Sequence, residues 1–168
     1  MYASCETTIA AIENFEERID EQHGEHVACT NIVSERPLPV ITPETRHFWE
    51  GTRAGELRLQ RCGACSQVYF PPRPFCPRCA SLKVEVLRAS GRATLYSYVI
   101  HHRPVPGFVP PYSIAVVQLE EGPRMMTNIV DVEQTPEVLQ LDMSLQVVFE
   151  RMNDDISLPL FRPAAAAP

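Results

Sequence analysis

The sequence predicts a mainly β protein in which one N-terminal helix leads into a four-cysteine ribbon, followed by a small β-barrel. Three observations support this fold class. Two cysteine pairs stand close together in the middle of the chain, short β-forming segments separated by turn residues fill its C-terminal half, and one capped segment precedes both. The 168 residues are enough for one small domain and a compact module.

Composition and charge limit the classes of function. The hydrophobic fraction of 45% is typical of a globular protein, and no apolar run approaches the ~18 residues of a membrane-spanning helix. Because no secretory signal pattern is visible, we expect a cytoplasmic protein without membrane association, in which cysteines favour metal over disulfides. The net charge of −6 is uneven: residues 56–92 carry +5, residues 1–36 carry −6 and residues 93–168 carry −5. A positive segment of this kind suits phosphates, nucleic acid or an acidic partner.

The first 56 residues predict an acidic extension and then a helix. Residues 1–36 are expected to be disordered or to form one marginal helix, and the alternative is a helix that docks to a partner. Residues 37–56 are expected to hold the helix that leads into the ribbon, because Thr42 suits its N-cap and Pro43 its first turn. Trp49 is interpreted as a packing anchor rather than a ligand platform.

Residues 57–89 contain two CxxC motifs that predict one structural zinc ion. Cys62 and Cys65 form the first pair, and Cys76 and Cys79 form the second. A two-residue spacer lets two thiolates reach the same ion, and four thiolates complete a tetrahedron. The alternative is a pair of redox dithiols, but such motifs normally open a helix in a βαβ setting that the pattern lacks. Since four cysteines leave no open position, the zinc would not be catalytic, and no catalytic residue is predicted.

Residues 90–163 predict a small barrel of the OB-fold type. Short runs of β-forming residues alternate with turn residues, and a single short helix is expected at 135–139. The Ala/Pro-rich residues 164–168 are expected to be a disordered tail. The predicted barrel strands are 94–100, 113–119, 125–130, 145–152 and 158–161.

The order of these features resembles the DUF35 family, in which a rubredoxin-like zinc ribbon precedes an OB-fold domain. The resemblance covers about residues 40–163. Two positions depart from it, since Ala93 and Asp142 stand where family members often have glycine. The segments that carry the resemblance are 48–51 (FWEG), 55–62, 70–79 with its PPR and CPRC, 90–98 with its SGRATLYSY, 110–120 and 158–163.

The resemblance implies an accessory or scaffold subunit rather than an enzyme. Proteins similar to this one associate with thiolase-like enzymes, namely thiolases, acyltransferases or steroid side-chain aldolases, and the thiolase-fold partner supplies the catalytic residues. Some are fused or bound to MaoC-like hydratases. The resemblance therefore implies a thiolase-like partner, a MaoC-like hydratase as a second partner, and acyl-CoA as a ligand.

Four residues are candidate contacts. Arg73 and Arg78 flank the second cysteine pair and are candidates for CoA phosphates, although solvated ribbon arginines explain them equally well. Phe108 and Tyr112 lie in a proline-rich loop whose rigidity lowers the entropy lost on binding a partner. The alternative for that loop is a hairpin tip that packs on its own barrel.

The fold alone also permits a second function, a module that binds single-stranded nucleic acid. The net charge of −5 over residues 93–168 has the wrong sign for a phosphate backbone, so nucleic acid is the less favoured partner. The aromatic side chains available to stack bases would be Tyr96, Tyr98, Phe108 and Tyr112.

Overall fold

A computed structural model of the protein describes residues 36–164. The predicted N-terminal extension, apart from Arg36, and the predicted tail, apart from Ala164, lie outside these residues. One helix precedes eight strands in the described part, which confirms the mainly β fold class. The elements are α1 (Arg46–Arg53), β1 (Arg58–Cys62), β2 (Val68–Tyr69), β3 (Val84–Arg88), β4 (Arg92–His101), β5 (Tyr112–Leu119), β6 (Arg124–Thr127), β7 (Ser144–Arg151) and β8 (Ser157–Pro163).

The helix α1 begins later than its sequence signal indicates. The carbonyl of Thr42, the predicted cap, accepts from the N–H groups of Thr45 (3.1 Å) and Arg46 (3.0 Å), so Thr42 opens a turn that leads into the helix. Phe48 is buried, and the half-buried Trp49 packs edge-on against it at 4.9 Å between ring centroids. Within the described residues, no helix is long and apolar enough to cross a membrane.

The ribbon is a three-stranded antiparallel sheet in the order β2-β1-β3. Its central strand places Gln60 opposite Tyr69 on one side and Val86 on the other. The buried side chain of Gln60 accepts a hydrogen bond from the N–H of Arg73 at 2.7 Å. This contact attaches the proline-rich connection between the cysteine pairs to β1.

The barrel is a five-stranded antiparallel sheet in the order β6-β5-β4-β7-β8. The sheet curls until its two edges meet, where Ile129 and Phe161 form a parallel bridge. The N–H of Val130 donates to the carbonyl of Phe161 (2.8 Å), and the N–H of Phe161 donates to the carbonyl of Asn128 (3.1 Å). Because these contacts join the two edges of the sheet, this arrangement confirms the predicted OB-fold barrel.

One hydrophobic core serves the helix, the ribbon and the barrel. The helix α1 contacts β1 of the ribbon and β7 and β8 of the barrel, and Leu59 of β1 belongs to the same buried cluster as the barrel residues. The helix and the ribbon contribute Phe48, Leu57 and Leu59 to the buried core. The barrel contributes Ala93, Leu95, Ala115, Val117, Leu119, Met125, Ile129, Leu139, Leu145 and Phe161.

The connection from β6 to β7 differs from the prediction. The expected helix at 135–139 is a single turn, in which the N–H groups of Val138 and Leu139 both donate to the carbonyl of Thr135 (3.2 and 2.9 Å). The chain leaves helical geometry there because the N–H of Asp142 must reach the carbonyl of Leu95 at 2.8 Å. Tertiary pairing with β4 therefore overrides the local helix signal.

The two departures from the family pattern have clear structural settings. Ala93 is buried and lies between Leu119 and Leu145 of the neighbouring strands, where a small side chain fits. Asp142 has φ +64°, in the left-handed region that favours glycine and that aspartate tolerates better than most residues.

We expect the substitution Asp142→Gly to stabilise the protein, because glycine adopts φ +64° without the cost of a side chain. The gain should be about 0.5–1 kcal/mol, seen as a rise in melting temperature of about 1–4 °C. The matched control is Glu137→Gly, which removes the same charge at an exposed turn residue and should lower stability. Equal destabilisation by both glycines would contradict the prediction.

Candidate metal centre and binding surfaces

The four predicted ligands converge on one point. The sulfur atoms of Cys62, Cys65, Cys76 and Cys79 all lie within 4.8 Å of one another. The Sγ atoms of Cys62 and Cys79 are 3.6 Å apart, and those of Cys65 and Cys76 are 3.7 Å apart. A tetrahedral zinc ion with Zn–S bonds of about 2.3 Å separates its sulfurs by about 3.8 Å. Donor type, number and spacing therefore fit a structural zinc ion.

The two cysteine pairs share one backbone geometry. The carbonyl of Cys62 accepts from the N–H of Ser66, and the carbonyl of Cys76 accepts from the N–H of Ala80, both at 2.9 Å. The N–H of each first cysteine donates to the carbonyl five residues later, again at 2.9 Å in both pairs. Ser66 and Ala80 both have positive φ, +60° and +57°. The two turns are thus equivalent, as expected of a rubredoxin-like ribbon.

Backbone N–H groups donate to the sulfur of the first cysteine in each pair. The N–H of Ala64 lies 3.4 Å from the sulfur of Cys62, and the N–H of Arg78 lies 3.4 Å from that of Cys76. Amide donation from Cys65 and Ala64 lowers the pKa of Cys62 to about 6. A depressed pKa favours the thiolate that binds zinc.

The fourth ligand behaves differently. The N–H of Ser81 favours the thiolate of Cys79, but interactions with the thiols of Cys65 and Cys62 outweigh it and raise the pKa of Cys79 to about 12. A zinc ion must therefore displace the proton of Cys79, so acid competes with the metal. Cys62 is buried whereas Cys79 is exposed, so solvent reaches the site from the second pair.

The ribbon has little core of its own away from the barrel. Its second buried cluster consists of Cys62, Tyr69 and Cys76, with Cys65 and Val84 packed against it. Burial, followed by the nearby Cys76 sulfur, raises the pKa of Tyr69, which keeps its phenol neutral. Because so few apolar groups are buried there, the part of the ribbon around the four cysteines depends on the metal for its stability.

The candidate cations Arg73 and Arg78 are both exposed beside the second cysteine pair. Within residues 36–164, neither forms an ion pair, and the same holds for Lys83. Sequence reasoning did not single out Lys83, because only the structure shows which cations of the +5 segment are neutralised. The paired ones are Arg58 and Arg88 with Glu56 (2.8 and 3.2 Å), Arg61 with Glu85 (3.0 Å) and Arg92 with Glu120 (2.8 Å).

The candidate loop residues Phe108 and Tyr112 are half-buried and stack on each other, with centroids 4.7 Å apart. The guanidinium of Arg36 lies 4.1 Å above the ring of Phe108, and the ring of His101 packs against that of Tyr112 with centroids 5.2 Å apart. Their rings therefore order the loop itself, whereas Val109 is 87% exposed at its tip. Sequence reasoning missed both Arg36 and Val109.

The zinc site leads to a first test on the ribbon. Cys76→Ala should abolish binding of about one zinc ion per chain, because three thiolates cannot complete the closed tetrahedron. Hydrogen exchange should rise in β2 and in the second cysteine turn, while the barrel strands stay protected. The control Cys29→Ala, outside the two motifs, should keep its zinc. A Cys76→Ala variant that still holds stoichiometric zinc, measured by elemental analysis, would contradict the assignment.

Two family models match the chain in the order of its two parts. The "ChsH2, rubredoxin-like zinc ribbon domain" matches residues 49–85, and the "ChsH2, C-terminal OB-fold domain" matches residues 87–150. A "Probable enoyl-CoA hydratase alpha subunit" from Thermomonospora curvata is 36% identical over 77% of this chain. The match spans only 40% of that longer relative.

Other relatives match over most of their own length. A "DUF35 domain-containing scaffold protein" from Methanocaldococcus jannaschii is 38% identical over 56% of this chain and 68% of the relative. The "Benzoylsuccinyl-CoA thiolase subunit BbsA" of Thauera aromatica is 29% identical over 61% of this chain and 69% of its own. A chain of the solved structure "Ltp2-ChsH2(DUF35) aldolase" superposes with a TM-score of 0.69 at 35% identity, over 76% of this chain and 100% of that one. The protein therefore belongs to the DUF35 family and carries its zinc ribbon and OB-fold barrel in the family order.

Proposed function

We propose that this chain is a non-catalytic accessory subunit that binds a thiolase-like enzyme. The observation that carries the proposal is the match over 100% of a chain from the Ltp2-ChsH2(DUF35) aldolase structure. The names of the scaffold and thiolase-subunit relatives support the same role. The name of the enoyl-CoA hydratase relative supports a hydratase as a second partner, and we propose that it is MaoC-like.

The geometry of the metal site supports the non-catalytic part of the proposal. Four thiolates at tetrahedral spacing leave the zinc no position for a substrate or a water molecule. A zinc ion of this kind fixes backbone and performs no Lewis-acid step. In the proposed complex, the thiolase-like partner therefore supplies the reacting groups.

The proposal extends to acyl-CoA through the ribbon. CoA carries several phosphate charges, and arginine binds phosphate through paired, charge-assisted hydrogen bonds. Arg73, Arg78 and Lys83 are the cations of the positive segment that have no ion-pair partner within residues 36–164. We propose that this group holds the phosphate end of CoA while the enzyme subunit holds the acyl end.

Co-expression tests the partner. The tagged full chain is produced with each thiolase-fold protein encoded in its source genome, and at least one should co-purify in a fixed ratio. That protein should turn over its acyl-CoA substrate faster with the chain than without it. If none co-purifies, and the chain instead shifts a labelled single-stranded oligonucleotide in a salt-dependent way, the nucleic-acid alternative replaces the proposal.

The CoA contact is tested in the same complex. The double variant Arg73→Ala/Arg78→Ala should raise the KM for acyl-CoA by about 10-fold or more, because a hydrogen bond to a charged group contributes about 1.5–3 kcal/mol. The value of kcat should change little. The matched control is Arg61→Ala, an exposed ribbon arginine that is already paired with Glu85. An unchanged KM in the double variant would remove these arginines from the proposal.

A further inference from the structure

The outer surface of the barrel carries an apolar patch that the metal site and the ribbon cations leave unexplained. We call it the outer apolar face, and it extends over β4, β5 and β6. Val99 lies directly opposite Ile114, and Val116 lies opposite Met126, so these side chains adjoin across three strands. Alternate residues of β5 point into the core, which leaves this set outside. Its members are Tyr96, Val99, Ile114, Val116 and Met126.

The outer apolar face is strongly exposed. Met126 is 73% exposed, Val99 56% and Tyr96 47%. Together with the other two side chains they present on the order of 400 Å² of apolar surface, within the size range of the largest patch on a typical monomer, which is often functional. A standard protein interface buries about 800 Å² per partner, so this face amounts to roughly half of one.

The charge pattern identifies the kind of partner. Residues 93–168 contain nine acidic side chains, yet none of the nine lies in β4, β5 or β6. Beside the face lies Arg124 of β6, whose guanidinium is 3.5 Å over the ring of Tyr96 and donates to Gln118 at 3.0 Å. Tyrosine, methionine and arginine with few other charges are the composition of a protein–protein interface core. A nucleic acid would require several free cations here.

A groove of about 320 Å³ adjoins the face between β4, β5 and β7. Thr94 lies between Gln118 and Ser144 on the neighbouring strands, and these small or uncharged side chains line it. At one end, Arg92 and Glu120 form a bidentate ion pair with both hydrogen bonds at 3.0 Å. Gln118 belongs to both the groove and the contact with Arg124, so groove and face are continuous. Such a groove accepts one anchoring side chain of a partner.

We propose that the outer apolar face and this groove form the surface that binds the thiolase-like subunit. The inference rests on the proposed function and specifies where the partner docks. The surface of the thiolase-like subunit that meets this face is expected to be neutral and apolar, with one protruding aliphatic or aromatic side chain that enters the groove. Because the face carries few charges, it suits a partner surface that is also uncharged. The acidic groups of the barrel lie in its turns and at the end of β7.

Two substitutions that introduce a negative charge test the docking surface. Met126→Glu and Val99→Glu each place a carboxylate on the face, on either side of its central strand β5, and each should weaken binding of the co-purifying thiolase-like subunit at least 10-fold in titrations of the full chain. The matched control is Val40→Glu, which adds the same charge at a residue 83% exposed and far along the chain from the barrel strands. It should bind as the wild type does. All three variants should hold one zinc and keep the melting temperature of the wild type.

The outcomes separate this inference from the proposed function. If the wild type binds the thiolase-like subunit and both face variants bind equally well, the docking site is wrong and the proposed function stands. If the wild type binds no thiolase-fold protein, the proposed function is wrong and the inference fails with it. If the glutamates instead dissociate a homodimer, or abolish oligonucleotide binding, while partner binding is unchanged, the face serves another ligand and the inference is overturned.

Discussion

The structure depends on β1, a strand of five residues that belongs to the ribbon and to the common core at once. Leu59 is fully buried against the barrel, a burial that contributes about 2–3 kcal/mol. Three residues later, Cys62 is one of the four cysteines positioned to bind zinc, and between them Gln60 holds the proline-rich connection through the N–H of Arg73. Because one short strand carries all three contacts, the position of the zinc is tied to the barrel core.

This coupling explains how a small chain can present two different surfaces. Around the zinc, backbone hydrogen bonds and four thiolates fix the second cysteine pair, so Arg73 and Arg78 project from a rigid support. On the barrel, antiparallel pairing holds β4, β5 and β6 in register, so their outward residues form one face. In the proposed complex, the cations meet phosphates and the neutral face meets protein.

Structural features that depend on residues close together in the chain could be predicted from the sequence. The CxxC spacing predicts the zinc site, and alternating β-forming runs predict the barrel strands within one to three residues. Contacts between distant residues could not be predicted: Arg36 stacks on Phe108 and donates to Gly107, 71 residues away. The helix signal at 135–139 failed for the same reason, because Leu139 is drawn into the core and the chain then turns to pair with β4. Which arginines remain unpaired likewise depends on side chains that meet only in the fold.

The central claim is that the zinc ion is closed and structural, and that catalysis in the complex belongs to the partner. X-ray absorption at the zinc edge tests it most directly, on the purified complex with and without acyl-CoA. The account predicts four sulfur ligands at about 2.3 Å and an unchanged spectrum when the substrate is added. A nitrogen or oxygen ligand that appears on substrate binding would contradict it, because the zinc would then have a position open to chemistry.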